Sequence, residues 1–366
     1  MVMTVPAQRK AIVIYSPHAG RSTQREEAFA YLRQASVEIQ RVISIANLDY
    51  LPPQGEIWKQ QGIDIAVAAG GDGLIGGVIA HIVESGLPLG IMPLGTSNDT
   101  ARSLHIPEHL QQAAEVIAQG HIHFVDVGMA KPAEQAPLPL STAGEAPAPA
   151  LINPRQHSYF AHVLTVGVNV EFARIATNMA TRQRFGRLTY PIAALEVLKN
   201  HQPMDVTLYF EGLKLIAKPG TTLSTEEIAA LSTLRCRVFQ VTVVNAPIFG
   251  GSWQLAVPDA SMEDRLLDIV VFEDIDLSKL NDAIARFFNL RENGSEQPGS
   301  PWHGLQPSLN PAELTGIPGI HHVQASAVKI TTTLDPRDVT LDGEVRGQTP
   351  LYTRIARQRL KVLAPD

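Results

Sequence analysis

Ile63-Asp64-Ile65-Ala66-Val67-Ala68-Ala69-Gly70-Gly71-Asp72-Gly73 is the stretch that decides the fold. Its first seven residues are apolar except for Asp64, the composition of a strand covered on both faces, as in a parallel sheet. The run passes directly into Gly70-Gly71-Asp72-Gly73, and Leu74 to Glu84 then reads as a helix. Strand, glycine-rich turn and helix form the repeating unit of an α/β domain, whose ligands bind beyond the carboxyl ends of the strands. Glycines at such a turn let backbone approach a phosphate closely, and the helix N-terminus points amide donors at it. A tight turn with no ligand uses the same residues, and the short motif alone does not choose between the two.

The unit recurs on either side. Ala11–Tyr15, Val42–Ile45 and Leu89–Met92 are strand-like, Ser22–Ala35 places Phe29 and Leu32 on one helical face, and Ile57–Gln61 closes a short helix. Pro93-Leu94-Gly95-Thr96-Ser97-Asn98-Asp99 again follows a strand and opens a helix that runs through Leu104. Two Asp-bearing glycine turns at neighbouring strand ends make a concave, donor-rich site with carboxylates. Thr96 or Ser97 would bind phosphate there, and Asp72 and Asp99 would hold Mg²⁺ directly or through water. Ser97 or Asn98 would also cap the following helix. The expectation for residues 1–130 is a parallel sheet with helices on both faces.

The pattern changes after Gly128. Residues 131–157 hold six prolines and six alanines without periodicity, which marks a surface insertion. From residue 158 to 366 strands dominate: Phe160–Val170, Asp205–Phe210, Leu213–Ala217, Arg235–Val244, Leu267–Phe272, Ala327–Thr332 and Arg359–Leu363. Glu211-Gly212 reads as a hairpin turn between two of them. Helices are expected at Leu188–Asn200 and Leu277–Leu290, and residues 291–322 form a second Pro/Gly-rich insertion. The second domain is therefore expected to be a mainly antiparallel β-sandwich, with the last residues free to return to the first domain.

Composition narrows the function. Hydrophobic residues make up 45% of the 366, enough for real cores. A net charge of −6 argues against a general nucleic-acid binder, and Trp58, Trp253 and Trp302 are too scattered for a base-stacking platform. Cys236, the one cysteine, excludes a disulfide framework and reads as a small filler in a strand. His121, His123, His321 and His322 lack metal-ligand spacing and read as surface residues. Arg182, Arg184 and Arg187 read as a solvated face, with anionic lipid headgroups as the sharper alternative. No run reaches a membrane-spanning length and no signal peptide is visible, so a cytoplasmic location is expected.

Neither GxxxxGK[ST] nor GxGxxG occurs at the two loops. GGDGL (Gly70–Leu74) and PLGTSNDTAR (Pro93–Arg102) instead resemble the diacylglycerol kinase catalytic-domain superfamily, which includes bacterial lipid kinases and sphingosine and ceramide kinases. The resemblance covers nearly the whole chain. Ser16-Pro17-His18-Ala19-Gly20 is similar to the family's first-strand loop, and Val125-Asp126-Val127-Gly128 to its acidic strand before the domain crossover. Phe185–Tyr190, Asn245–Asp268, Leu341-Asp342-Gly343-Glu344 and Thr349-Pro350 match further elements in order.

The resemblance implies an ATP-dependent lipid kinase with diacylglycerol as the leading substrate class. It further implies transient docking on a membrane surface, and leaves self-association as a homodimer open. It assigns ATP contacts to Ser16, Pro17, Gly20, Gly70, Gly71, Asp72, Gly73 and Thr96. Asp342 and Glu344 would be the acidic pair near the transferred phosphate, one of them the general base. Asp72 would share the catalytic centre, and Asp72, Asp99 and Asp126 would form the Mg²⁺ network. Phosphoryl transfer independently asks for such parts: donors and Mg²⁺ on the phosphates and a carboxylate within reach of the acceptor hydroxyl. Alternation would put Asp342 and Glu344 on one side of an extended segment, whereas Asp-Gly more commonly marks a β-turn with solvated acids.

The sequence also departs from the family pattern. Ile75-Gly76-Gly77 stands where Asn-Glu is usual, implying loss of a polar contact. DDGLLD, a structural Mg²⁺ loop in some bacterial members, is here Glu263-Asp264-Arg265-Leu266-Leu267-Asp268. Asp264 would remain a ligand, but a turn needing positive φ would resist Arg265. An NAD kinase-like enzyme and a catalytically weak lipid- or nucleotide-binding homologue are the alternatives.

Overall fold

The computed structural model describes residues 8–17, 22–48, 50–133, 158–168, 202–214, 232–249, 255–275, 279 and 319–365. Gly20, Arg182, Arg184, Arg187, Phe185–Tyr190 and the helix expected over Leu188–Asn200 lie outside them. So do Trp253, Trp302, Leu277–Leu290 apart from Lys279, and most of both expected insertions.

The first sheet is built from β1 (Lys10–Tyr15), β2 (Glu38–Ser44), β3 (Ile65–Gly70), β4 (Leu89–Pro93), β5 (His121–Val125) and β19 (Leu360–Ala364), in the order β2-β1-β3-β4-β19-β5. Its pairings are parallel except for β19–β5, an antiparallel edge that the strand–helix repeat did not reveal. Every residue of β3 is buried, which is why its sequence is nearly all apolar. The helices are α1 (Ser22–Gln34), α2 (Gly55–Gln60), α3 (Asp72–Ile82), α4 (Asp99–Ser103) and α5 (Leu110–Gln119). Helices α1 and α5 pack together, with α5 on β4 and β19, while α3 packs with α2 and on β3, β4 and the short strand β7 (Ser158–Phe160) of the second sheet. The α5 segment, LQQAAEVIAQ, is a helix outside the sequence reading, although Leu110, Ala113, Ala114 and Ile117 recur at helical spacing and carry the signal for it.

The second sheet is antiparallel in all its pairings among the described residues: β17-β16-β8-β10-β9-β15-β18-β6-β7, with β13 joining β10 to β14. Its strands are β6 (Gly128–Pro132), β7 (Ser158–Phe160), β8 (Val163–Gly167), β9 (Met204–Glu211), β10 (Thr233–Val244), β13 (Leu267–Glu273), β14 (Ile320–Ala325), β15 (Ala327–Thr332), β16 (Asp338–Leu341), β17 (Glu344–Gln348) and β18 (Leu351–Ile355). A small ribbon, β11 (Ile248–Phe249) with β12 (Leu255–Ala256), stands apart. The long β10 gives its first half to β9 and its second to β8 and β13, which folds the sheet into a sandwich over a core of Leu164, Val241, Ile269, Val328 and their neighbours.

Five expectations change here. Phe160–Val170 is not one strand: it breaks at Ala161-His162, between β7 and β8. The first insertion begins after β6, which runs to Pro132, and the second ends before Ile320, where β14 starts. His321 and His322 are therefore buried strand residues, with His321 Nε2 2.9 Å from a Glu273 carboxylate oxygen and His322 Nε2 2.8 Å from Asp268. Gly212 turns the chain, but Lys214 bridges Gln324 of β14 instead of forming a hairpin with β9. Cys236 is only partly buried, beside the sandwich core, and burial pushes its thiol up to about 12.

The chain crosses between the domains twice, at Asp126-Val127 and at Ala356–Arg359, and the crossings touch: the Ala356 N–H donates to the Val127 carbonyl at 2.9 Å. Beside them Gly128 pairs with Phe160 across β6 and β7. A Cβ at Gly128 would fall 2.0 Å from that fully buried ring. Gly128→Ala is expected to cost about 1–3 kcal/mol by overpacking, read as a lower thermal unfolding temperature. An unchanged unfolding temperature would contradict this packing.

Candidate active site

The two glycine loops are in contact. The Leu94 N–H donates to the Gly70 carbonyl at 3.1 Å, and a Cβ on Gly95 would lie 2.4 Å from the Gly71 Cα. This closeness is what requires glycine at both positions. Asp72, the first residue of α3, accepts from the Asp99 N–H at 3.1 Å and the Thr100 N–H at 2.8 Å, so one loop's carboxylate caps the helix opened by the other. Asn98, expected to be a capping residue, makes no cap bond and takes a left-handed backbone (φ 53°). Its amide instead brackets Gly95, accepting from Gly95 N–H at 2.9 Å and donating to Gly95 O at 3.1 Å. Thr96 is left exposed at the rim.

The acidic pair arrives from the other domain. Asp342 (φ 48°) and Gly343 (φ 84°) form a two-residue turn joining β16 to β17, not an extended segment. Positive φ at both positions is the geometry that favours Asp-Gly in a hairpin. The Asp342 carboxylate is buried and accepts three backbone N–H bonds of 2.9 Å: Ala161 to Oδ2, and His162 and Val163 to Oδ1. These donors come from the break between β7 and β8. Burial pushes the carboxyl up to about 6, and Asp72 pushes the same way, while His162 and the amides of Val163 and Ala161 oppose them.

Both acids press on α3. Oδ2 of Asp342 lies 2.8 Å from where a Gly76 Cβ would stand, and Glu344 Oε1 lies 2.6 Å from that of Gly73. Gly76 thus marks a close approach that any side chain, including the family's usual Asn, would obstruct. A glycine pair inside a helix, costly by about 1 kcal/mol per residue, was the sequence signal for this. Glu344 is exposed and also pairs with Arg346.

Gly70, Gly71, Asp72, Gly73, Thr96, Asp342 and Glu344 therefore meet around the start of α3. Ser16 and Pro17 follow β1, whose last residue Tyr15 pairs with Ala69, so they leave the sheet at the same end. Asp99 is buried and ion-paired with Arg102 at 3.4 Å.

Asp126 does not fit the expected Mg²⁺ network. Its buried carboxylate is occupied by the Arg265 N–H at 2.6 Å, by Arg265 Nη1 at 3.1 Å and by Arg359 Nε at 3.1 Å. Asp264 accepts from the Leu266 N–H at 3.1 Å, and burial raises its carboxyl. Among the described residues no group of three His, Cys, Asp or Glu side chains is arranged to hold a metal ion. Arg265 takes the left-handed backbone (φ 66°) that was expected to exclude it.

Comparisons with known proteins agree along the chain. Residues 10–130 match the family model for the diacylglycerol kinase catalytic domain, and residues 162–292 that for a YegS C-terminal NAD kinase β-sandwich-like domain. A diacylglycerol kinase of Staphylococcus saprophyticus is 22% identical over 98% of this chain and 96% of its own. One from Staphylococcus aureus is 23% identical over 98% and 93%. A crystal structure of a diacylglycerol kinase from Bacillus anthracis has the same fold, with a TM-score of 0.56 at 16% identity over 97% of each chain. A second structure from that organism gives 0.62 at 18%, also over 97% of each. The catalytic-domain match over residues 10–130 makes the chain a phosphotransferase with an alcohol acceptor. Residues 10–130 belong to the diacylglycerol kinase catalytic-domain family.

The contact between the loops gives a differential test. Gly95→Ala is expected to lower the unfolding temperature by several degrees, because the new methyl must separate Gly71 from residue 95. Thr96→Ala, on the exposed rim, should stay within about 0.5 kcal/mol of the parent. Equal effects in calorimetry would refute the packing.

Proposed function

We propose that this protein transfers the γ-phosphate of ATP to a hydroxyl of a membrane lipid, with diacylglycerol as the acceptor. One observation carries the reading: the 341–344 hairpin of the β-domain rests on the first turns of α3, beside the point where the two glycine loops of the α/β domain touch. The names of the relatives support the acceptor class.

In this reading the phosphates lie along Gly70–Gly73 and Gly95–Thr96, facing the first-turn amides of α3 and its partial positive charge. Ser16 and Pro17 line the nucleotide from the end of β1. Mg²⁺ would come with the nucleotide and neutralise charge on its phosphates. Asp72, part-exposed and with lone pairs beyond its two amide bonds, is the carboxylate suited to meet it, whereas Asp126 is committed to arginines. Asp342 accepts the proton of the attacking hydroxyl. Its three amide bonds fix its direction, and a value near 6 leaves it ionised at neutral pH yet basic enough to take a proton. Glu344, at Gly73, orients the acceptor. The lipid lies in a bilayer, so the protein docks on that surface; no helix among the described residues is long and apolar enough to cross a membrane.

Asp342→Asn is expected to lower kcat about 10²–10⁴-fold, the range for a lost general base, with Asp72→Asn similarly impaired and Glu344→Gln less so. The assay is transfer of labelled phosphate from ATP to diacylglycerol in mixed micelles, with NAD as a parallel acceptor. Thermal unfolding of each variant separates lost chemistry from lost fold. Retained turnover in folded Asp342→Asn would end the assignment, and label on NAD alone would replace it.

The pH profile is an independent check. Because Asp342 must be ionised, kcat/KM, which follows the free enzyme, should fall with unit slope as pH drops below about 6. The sign for stability is opposite. A carboxyl raised on folding binds its proton more tightly in the native state, so its ionisation removes stability as pH rises from its ordinary value of 3.8 toward 6. A flat rate between pH 5 and 8 would exclude Asp342 as the base.

A further inference from the structure

The Mg²⁺ that resemblance implies for the 263–268 loop does not fit the residues present, and the misfit is itself informative. Asp126 sits at the outward crossing between the domains with a side chain that is 0% exposed. Its two oxygens meet a backbone N–H and two guanidinium groups, and these donors tie together three parts of the chain. Arg265, from the loop before β13, donates Nη1 to Asp126 and Nη2 to the Ala356 carbonyl at 2.7 Å, on the returning crossing. Arg359, on that crossing, donates Nε to Asp126 and Nη2 to the Glu263 carbonyl, back in the loop. The Asp126 N–H donates to Met262 O at 2.6 Å, and Asn245 Nδ2 to Asp126 O at 2.9 Å. Both passages between the domains and the loop beside them therefore converge on one buried carboxylate.

A buried carboxylate must have its charge met, by backbone donors, an ion or a cationic side chain, and at this joint two guanidinium groups meet it. Here the chain places a long arginine where its backbone must adopt φ 66°, a conformation that glycine takes without strain and other L-residues at a cost. The strain is offset by what the side chain does: its guanidinium reaches the carboxylate while its backbone N–H holds the second oxygen. From this geometry we infer that Arg265 is a positioning residue that supplies the cation of the interdomain joint, so that the joint is closed without a divalent ion. The joint sets how the 341–344 hairpin meets α3, because residues 126–127 and 356–359 are the two covalent links between the halves that carry them.

The test compares thermal unfolding with and without divalent ion, nucleotide absent. The parent protein should unfold at the same temperature, within about 1 °C, in EDTA and in millimolar Mg²⁺, since a bound structural ion would make the temperature depend on it. Arg265→Gly removes the guanidinium, relieves the backbone and leaves Asp126 and Asp264 to a metal. It should unfold about 5 °C or more lower in EDTA and recover part of that loss in Mg²⁺. Mn²⁺ titrated by electron paramagnetic resonance should show one more tight site in Arg265→Gly than in the parent. Arg265→Lys, which keeps a charge but not the paired donors, should fall between parent and glycine variant in EDTA and gain no Mn²⁺ site, and it serves if the glycine variant does not fold. An EDTA-sensitive parent would overturn the inference. So would a glycine variant as stable as the parent in EDTA, one that Mg²⁺ does not rescue, or a lysine variant that gains a Mn²⁺ site.

Discussion

Three backbone N–H groups directed at one carboxylate fix the acid that the β-sandwich presents to helix α3. Asp342 stands at the tip of a tight turn, and a side chain at a turn tip has no neighbours along its own strand to fix it. The amides of Ala161, His162 and Val163 do so, and they are available because the chain bends between β7 and β8 instead of continuing the ladder. An amide denied a strand partner must find another acceptor, and here it finds a buried acid. The opposite side of that acid faces helix α3 at Gly76, where the absence of a side chain admits it. Bend, turn and glycine are three local irregularities that make sense only together.

Much of this was legible in the sequence, and the legible parts share a cause. Gly70, Gly71, Gly73 and Gly95 are read easily because glycine announces a backbone constraint, and the apolar run before Gly70 locates it at a strand end. Asp342-Gly343 could be found as well, and its turn was one of two readings: alternation argued for an extended segment, Asp-Gly for a β-turn, and the turn is what forms, although its acid is buried and not solvated. The bend at residues 161–162 left no mark, since FAHVLTV is as uniformly strand-like on either side of it. His321 and His322 were misplaced for a different reason. Their acceptors, Glu273 and Asp268, lie on β13, and a buried polar residue is told from an exposed one only by a partner distant in the sequence. Asp126 and Arg265 belong to the same class: each alone resembles an ordinary charged loop residue.

The division of labour between the domains follows from where each kind of constraint sits. The α/β half contributes loops whose shape is set by close backbone approach, Gly71 against Gly95 and Asp72 beneath α4, so its part of the site is built on covalent geometry and amide bonds. The β-sandwich contributes carboxylates on a hairpin whose strand β16 is paired to β8. Phosphoryl transfer demands little covalent participation from a protein and a great deal of placement. A site assembled from two halves, each with its own constraint, is a direct way to supply it.

Strand β19 lies between β4 and β5, although it is made of residues 360–364 while its neighbours end at residues 93 and 125. During synthesis the sheet that carries both glycine loops therefore has a gap, with β5 lacking its partner until the ribosome has released residue 364. At about 5–20 residues per second that interval lasts tens of seconds, long enough for an open strand edge to pair wrongly. The strand that closes the α/β sheet is thus synthesised after every strand of the sandwich, the reverse of the order in which the two halves begin.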